Sequence, residues 1–357
     1  MRILTLRGRS RPAGLALLRA SMLLLLAACA GGGVPSAAPA RPPGAAVSPA
    51  GEAVPPPLRL VVSWSQPGGG QSGIWMAYEA GLFHEQGLDV ELTHIPNTSR
   101  VIQAMVAGEV QLAPLDVAAT LQASLGGAEL ALYFGALNRL VYSVMAQPEI
   151  TEPQLLRGKT VGITRIGSAT HTATLLALER WGLVPDRDVA LRQLGEVNAV
   201  LAGLEAKQVD AGVISPPRST LARRAGYREL LNLATDGPDY PSLAIGGPRS
   251  WATANAEAMR RFARAYVLGI QRLKQDKPWA IEVYRKYLGL DDPVVLDDTY
   301  ELFSQLFPLP PYVSEAGLAR LLADLAEDEP RLAGRQPSEW IDARYLREVE
   351  AAGAGHP

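Results

Sequence analysis

Three hydroxyls stand close behind a glycine in the stretch Gly167-Ser168-Ala169-Thr170-His171-Thr172. The preceding residues, Lys159-Thr160-Val161-Gly162-Ile163, form a β-branched, strand-like run. The following ones, through Leu175, Leu176, Leu178 and Trp181, carry an apolar helical pattern. Gly167 lets the chain turn sharply. A helix start offers free N–H groups and the positive end of the helix dipole, so this turn suits a carboxylate, sulfonate or phosphate. The same residues also read as an ordinary Ser N-cap in a strand–helix unit. His171, one turn into the helix, either donates to an anion when protonated or faces solvent. Arg100, Arg139 and Arg165 are candidate cations, with Arg165 nearest the turn, although surface exposure is the usual place for arginine.

Other chemistry lacks its residues. No Ser-His-Asp set and no paired carboxylates announce themselves. His84, His94, His171 and His356 form no ligand-spaced group, there is no Cys/His cluster for zinc, and no Walker-type glycine loop is present. No cofactor, no metal and no catalysis are therefore expected. A mildly acidic chain, with a formal net charge of −2, gives no support for nucleic-acid binding.

The elements that would position these residues alternate. Strands are expected at 58–64, 88–92, 110–114, 130–136 and 140–145, with helices between the first four of them. A second run has strands at 160–163, 189–194, 211–214 and 230–233, separated by helices at 170–181, 197–207 and 217–225. A short strand at 242–246 precedes a wholly helical end, whose strongest amphipathic face is Met259, Phe262, Ala263, Tyr266, Val267, Ile270 and Leu273. This order predicts two α/β lobes, each a mostly parallel sheet flanked by helices, with the C-terminal helices packed on lobe 1. Lobe 1 is expected at 58–147 and 241–357 and lobe 2 at 148–240. The chain would then cross between lobes near Ala146–Ile150 and Pro238–Pro241.

The N-terminus reads as an export signal. Five arginines precede the short apolar run Met22–Ala28, which is too short to span a bilayer comfortably. It ends in Leu26-Ala27-Ala28-Cys29, which resembles the lipobox of bacterial lipoproteins. That resemblance implies cleavage after residue 28 and lipidation of Cys29, the only cysteine in the chain and so without an intramolecular disulfide partner. Removal of residues 1–28, with five Arg and no acid, takes the net charge from −2 to −7. Residues 29–57, rich in Ala, Gly, Pro and Ser, read as a flexible tether.

Several segments together resemble one family. Trp75-Met76-Ala77-Tyr78-Glu79-Ala80-Gly81-Leu82-Phe83, Gly87-Leu88-Asp89-Val90-Glu91-Leu92, Gln103-Ala104-Met105-Val106-Ala107-Gly108-Glu109-Val110 and Leu156-Arg157-Gly158-Lys159-Thr160-Val161-Gly162 are similar to patterns in the solute-binding proteins of ABC importers for nitrate, sulfonate, taurine and thiamine-precursor pyrimidines. The resemblance implies a two-lobed type II periplasmic-binding-protein-like fold. It implies a monomer that captures a small polar, anionic or heteroaromatic solute in the cleft and delivers it to a permease and ATPase. Carried onto this chain, it places ligand contacts at Ser65, Gln66, Gln71 and Ser72, at Asp116, at Asn138, and at Ser168, Thr170 and His171. Each follows a strand, where ligands of open α/β sheets bind. Trp64 and Trp75 either stack on a flat ligand or fill the core. Asp116 either caps its helix or meets a cationic or N–H-bearing ligand, and an acid there opposes a bare anion. Ser215-Pro216-Pro217-Arg218 departs from the family, where an acid often precedes the proline. Two other readings remain: a sensory lipoprotein without a transporter, and an enzyme like the fungal pyrimidine synthases, which carry a cysteine cluster this chain lacks.

Overall fold

The computed structural model describes residues 57–65 and 67–353. The expected signal, lipidated Cys29, most of the tether and Gln66 lie outside the described residues. The first half runs β1 (Leu58–Trp64), a 3-10 turn (Gly69–Gln71), α1 (Ser72–Glu79), α2 (Leu82–Glu85), β2 (Leu88–His94), α3 (Thr98–Val106), β3 (Ala113–Asp116), α4 (Val117–Leu125) and β4 (Leu130–Leu137). The next part runs β5 (Ser143–Ala146), β6 (Lys159–Ile163), α5 (Ala169–Trp181), β7 (Val189–Gln193), α6 (Val197–Glu205), β8 (Ala211–Ile214), α7 (Arg218–Arg224), β9 (Arg228–Asn232) and α8 (Leu233–Asp236). The chain ends with β10 (Leu243–Pro248), α9 (Arg249–Ala254), α10 (Ala256–Gln275), α11 (Lys277–Leu288), α12 (Pro293–Leu306), α13 (Glu315–Ala326) and α14 (Arg344–Ala351). Side chains at the residue before the helix set many of the starts. Asn97, Asp116, Ser168, Asp276, Asp292 and Ser314 each accept a backbone N–H of the first turn.

The two halves build sheets of the same strand order. In the second, the order is β7-β6-β8-β5-β9. In the first, β1 and β2 pair in parallel, and β3-β10-β4 form a separate ladder. Leu112 joins the two, since its carbonyl accepts from Ser63 N at 3.1 Å while Gln111 N donates to Val61 O at 3.0 Å. The composite order is thus β2-β1-β3-β10-β4. Each sheet has one antiparallel strand beside its edge, β10 in the first and β5 in the second. That strand is in each case the first one after a crossing, β5 after the first and β10 after the second. The other four strands of each sheet run parallel, as the expected mostly parallel sheets require, but the first crossing is displaced from the expected Ala146–Ile150. The crossing lies at 138–142, because Ser143–Ala146 pairs with β8 and β9. A short, wholly buried strand carries no local mark of which sheet it joins.

Helices α10, α11, α12 and α14 contribute to the core that also holds β1, α1 and β4. Gly73 and Gly269 sit where α1 crosses α10. A Cβ at Gly73 would stand 2.5 Å from the Tyr266 ring, and one at Gly269 would stand 2.8 Å from Ala77 N. By contrast, α13 places Leu318, Leu321 and Leu322 in a core shared with β5, β6 and α5.

Candidate functional site

A cavity of about 170 Å³ lies between the two sheets, room for roughly ten water-sized groups. Its walls are built where strands end. Ser65 and Gly68–Gln71 follow β1, Asp116 ends β3, and Leu137 ends β4. From the other sheet come Ala169, after β6, and Ser215 with Pro216, after β8. The two crossings add Val141 and Tyr142 on one pass and Ser242 with Leu243 on the other, while Thr98 opens α3 and Phe303 projects from α12. In the shared strand order β1 corresponds to β6 and β3 to β8. Both lobes therefore meet the cavity with equivalent strand ends. Hollows of about 410 and 490 Å³ are more voluminous, but they are more open.

The turn after β1 lies against apolar side chains. A Cβ at Gly69 would fall 2.0 Å from the Phe303 ring, and one at Gly70 would fall 2.9 Å from Leu137. Only glycine lets this backbone lie on that floor. Gln71 then lines the cavity, is 4 % exposed, and its Oε1 has no hydrogen-bond partner among the described residues. Ser65 lines it too. Ser72 does not reach it. Its fully buried hydroxyl bonds to the Gly69 carbonyl and to Tyr284 Oη, the latter at 2.8 Å, which fixes the start of α1.

Asp116 is both a helix cap and a cavity wall. Its Oδ1 accepts from Ala119 N at 2.8 Å, and its own N–H donates to Thr98 Oγ1 at 3.3 Å. No side chain or cation among the described residues bonds to the carboxylate. Burial pushes the carboxyl up, and the backbone N–H groups of Ala119 and Ala118 offset this only in part. The half-buried side chain lines the cavity. Burial and the nearby Asp116 charge push Tyr142, also in the wall, up to about 12, so its phenol keeps its proton.

The remaining expected contacts are structural. Ser168, Thr170 and Thr164 form a closed triangle of hydroxyls with edges of 2.8, 2.8 and 2.9 Å. Ser168 also caps α5 and donates to Arg165 O at 2.7 Å, while Thr170 accepts from Thr164 N at 2.9 Å. These groups consume one another, and of this turn only Ala169 reaches the cavity. His171 turns its Nδ1 back to accept from Gly167 N at 3.2 Å, and burial pushes its pKa below the ordinary histidine range. It is therefore a neutral turn clamp. Asn138 staples the 312–314 segment, donating to Tyr312 O at 2.9 Å and accepting from Ser314 N at 3.0 Å. Trp64 packs on His94 at 4.2 Å and on Trp75 at 5.4 Å, and the fully buried Trp75 stacks on Tyr287 at 4.6 Å. Neither tryptophan lines the cavity.

Of the nine expected contacts among the described residues, the cavity thus gathers Ser65, Gln71 and Asp116. Sequence reasoning missed Thr98, Tyr142, Ser242 and Phe303. Ser215 and Pro216 carried a signal, since they are the departure already noted at 215–218. Phe303 carried none, because it reads as one more apolar position on an amphipathic helix. Among the described residues no lysine, arginine or histidine lines the cavity, and no three His, Cys, Asp or Glu side chains converge as a metal site. The wall offers hydroxyls, an amide and one carboxylate, so it can hold a small polar solute without a bound ion.

Two lobes of one strand order, joined by two crossings around a polar cavity, define a periplasmic-binding-protein-like fold. A family model described as NMT1/THI5 like matches residues 70–278, more than half of the chain, and the protein belongs to that family. Solved structures of the same fold include the periplasmic aliphatic sulphonate binding protein SsuA from Escherichia coli, 19% identical, with 80% of this chain and 97% of that chain covered at a TM-score of 0.66. The alkanesulfonate-binding protein SsuA from Xanthomonas axonopodis pv. citri, bound to MOPS, is 20% identical, with 81% and 100% covered at a TM-score of 0.61. The periplasmic nitrate-binding protein NrtA from Synechocystis PCC 6803 is 12% identical, with 68% and 70% covered at a TM-score of 0.57. No curated protein is significantly similar in sequence.

Proposed function

We propose that this protein is the extracytoplasmic solute-binding component of an ABC importer. Residues 1–28 direct export, lipidated Cys29 holds the protein at the membrane, and residues 29–57 let the folded body stand off from it. The lobes close around one small solute as a monomer and present it to a permease and its ATPase. No bond in the solute is made or broken. The observation that carries this reading is the cavity itself: equivalent strand ends of both sheets meet there, and the polar side chains of Ser65, Gln71 and Asp116 line it. Family membership and the named neighbours support it.

Closure follows from differential contact. A solute that touches both walls favours the state in which the walls are nearest. A thermal-shift screen over sulfonates, nitrate, carboxylates and pyrimidines is expected to find a stabilising solute, because binding to the folded state alone raises the melting temperature. Ser65→Ala and Gln71→Ala are each expected to weaken that solute about three- to tenfold while leaving the unliganded melting temperature unchanged, the size of one lost hydrogen bond. Unchanged affinity in both variants would remove the proposed site.

A further inference from the structure

We propose that Asp116 selects the solute: the cleft takes a molecule presenting an N–H donor to the Asp116 carboxylate, such as an ammonium, an amidinium or a ring amino group, and discriminates against a bare anion. This rests on the reading of the cavity as a solute site. Three observations carry it. Asp116 is the only charged side chain among the described residues of the wall. Its carboxylate is bonded only by the backbone N–H groups of Ala119 and Ala118 at the start of α4, and by no side chain or cation among the described residues. Gln71, nearly buried in the same wall, has an unpartnered amide oxygen. A buried carboxylate without a counter-charge is costly unless something supplies hydrogen bonds or charge. The start of α4 supplies part of this, and within this wall the solute is the remaining source.

The candidate counter-cations are engaged or point elsewhere. Arg139 bonds to the Gly237 carbonyl and pairs with Asp239 at 3.6 Å. Arg100 and Arg165 are exposed and do not line the cavity. The lone pair of His171 Nδ1 is occupied by Gly167 N–H. Helices α3, α4 and α5 do begin at the cavity, and their dipoles favour negative charge. Asp116 is itself the cap of α4, however, so that dipole is already matched by a protein charge. What remains on the far side is the start of α5 with Ser215, suited to an acceptor group on the solute. The solute class is therefore a polar molecule with a donor end toward β3 and, where it has one, an acceptor end toward β6 and β8. The carboxylate accepts a charge-assisted hydrogen bond from the first end.

Matched probe pairs test this on the mature chain by thermal shift and calorimetry: butanoate with 4-aminobutanoate, ethanesulfonate with 2-aminoethanesulfonate, and pyrimidine with 4-aminopyrimidine. The amino member of at least one pair is expected to bind tenfold or more tightly than its partner. Asp116→Asn, which keeps a capping oxygen, is expected to erase that preference while the protein stays folded. Asp116→Glu is expected to retain part of it. Binding by the unaminated anions at equal or greater strength, or a preference that survives Asp116→Asn, would overturn the assignment of Asp116 and leave the importer reading standing. If no probe of either kind binds, both readings fail.

Discussion

Asp116 does two jobs that pull in opposite directions. As the cap of α4 it stabilises the fold, and as a buried carboxylate it strains it. Its pKa in the folded protein is raised above the unfolded value, so the folded state holds the carboxyl proton more tightly. Stability from this group is then fullest below the unfolded value of about 3.9 and is lost as pH rises through the raised folded value. Asp116→Asn removes the buried charge and keeps the cap, so at pH 7.5 its melting temperature should equal or exceed that of the parent by about 2 °C. The difference should close as pH falls toward 4. A variant clearly less stable at pH 7.5 would show that the carboxylate is held for the fold rather than for a solute. Ser168 belongs to the opposite class. Its hydroxyl is spent on the α5 cap and on Thr164, Thr170 and Arg165. Ser168→Ala should therefore lower stability by about 1 kcal/mol and leave solute affinity within twofold, as chemical denaturation and calorimetry on one preparation would show.

The turn between β1 and α1 is the element on which the site depends. Gly69 and Gly70 lie directly on Phe303 and Leu137, so the loop's path is set by α12 and β4, both far away in sequence. Gly69→Ala would drive a methyl group into the Phe303 ring. The ring must rotate or the loop must lift, and overpacking of this kind costs about 1–3 kcal/mol. Both the melting temperature and solute affinity should fall, and Phe303→Leu in the same chain should restore part of each. No rescue would mean that the loop is positioned by something other than that contact.

The lobes also meet outside the cavity. Arg223 of α7 reaches Asp298 of α12 at 3.3 Å, and Arg224 reaches Asp292, the cap of α12, at 3.1 Å. These groups are a third to a half exposed, so each pair contributes at most about 1 kcal/mol. Their interest lies in where they act, since they tie a helix following β8 to one that floors the cavity. If the lobes close as proposed, Arg223→Ala with Arg224→Ala should change unliganded stability little but make solute affinity less dependent on salt between 50 and roughly 500 mM. Identical salt dependence in the variant and the parent would show that these pairs take no part in closure.

Local patterning was enough to read the alternation of strands and helices and the N-cap positions of α4 and α5. Strand and helix periods, Gly turns and capping side chains are properties of neighbouring residues, and they survive in any tertiary context. The turn at 167–171 shows where that reading stops. Its hydroxyls look available in sequence, and they are consumed because Thr164 at the strand end folds back onto them. Ser143–Ala146 shows the same limit, since a four-residue buried strand has no mark of its partner, and only long-range pairing sends it into the second sheet. Phe303, Tyr142 and Ser215 reach one cavity from segments 73 to 161 residues apart. The tertiary structure alone decided which side chains face the cavity, because direction into a shared cleft depends on the packing of both lobes and not on any residue's neighbours in the chain.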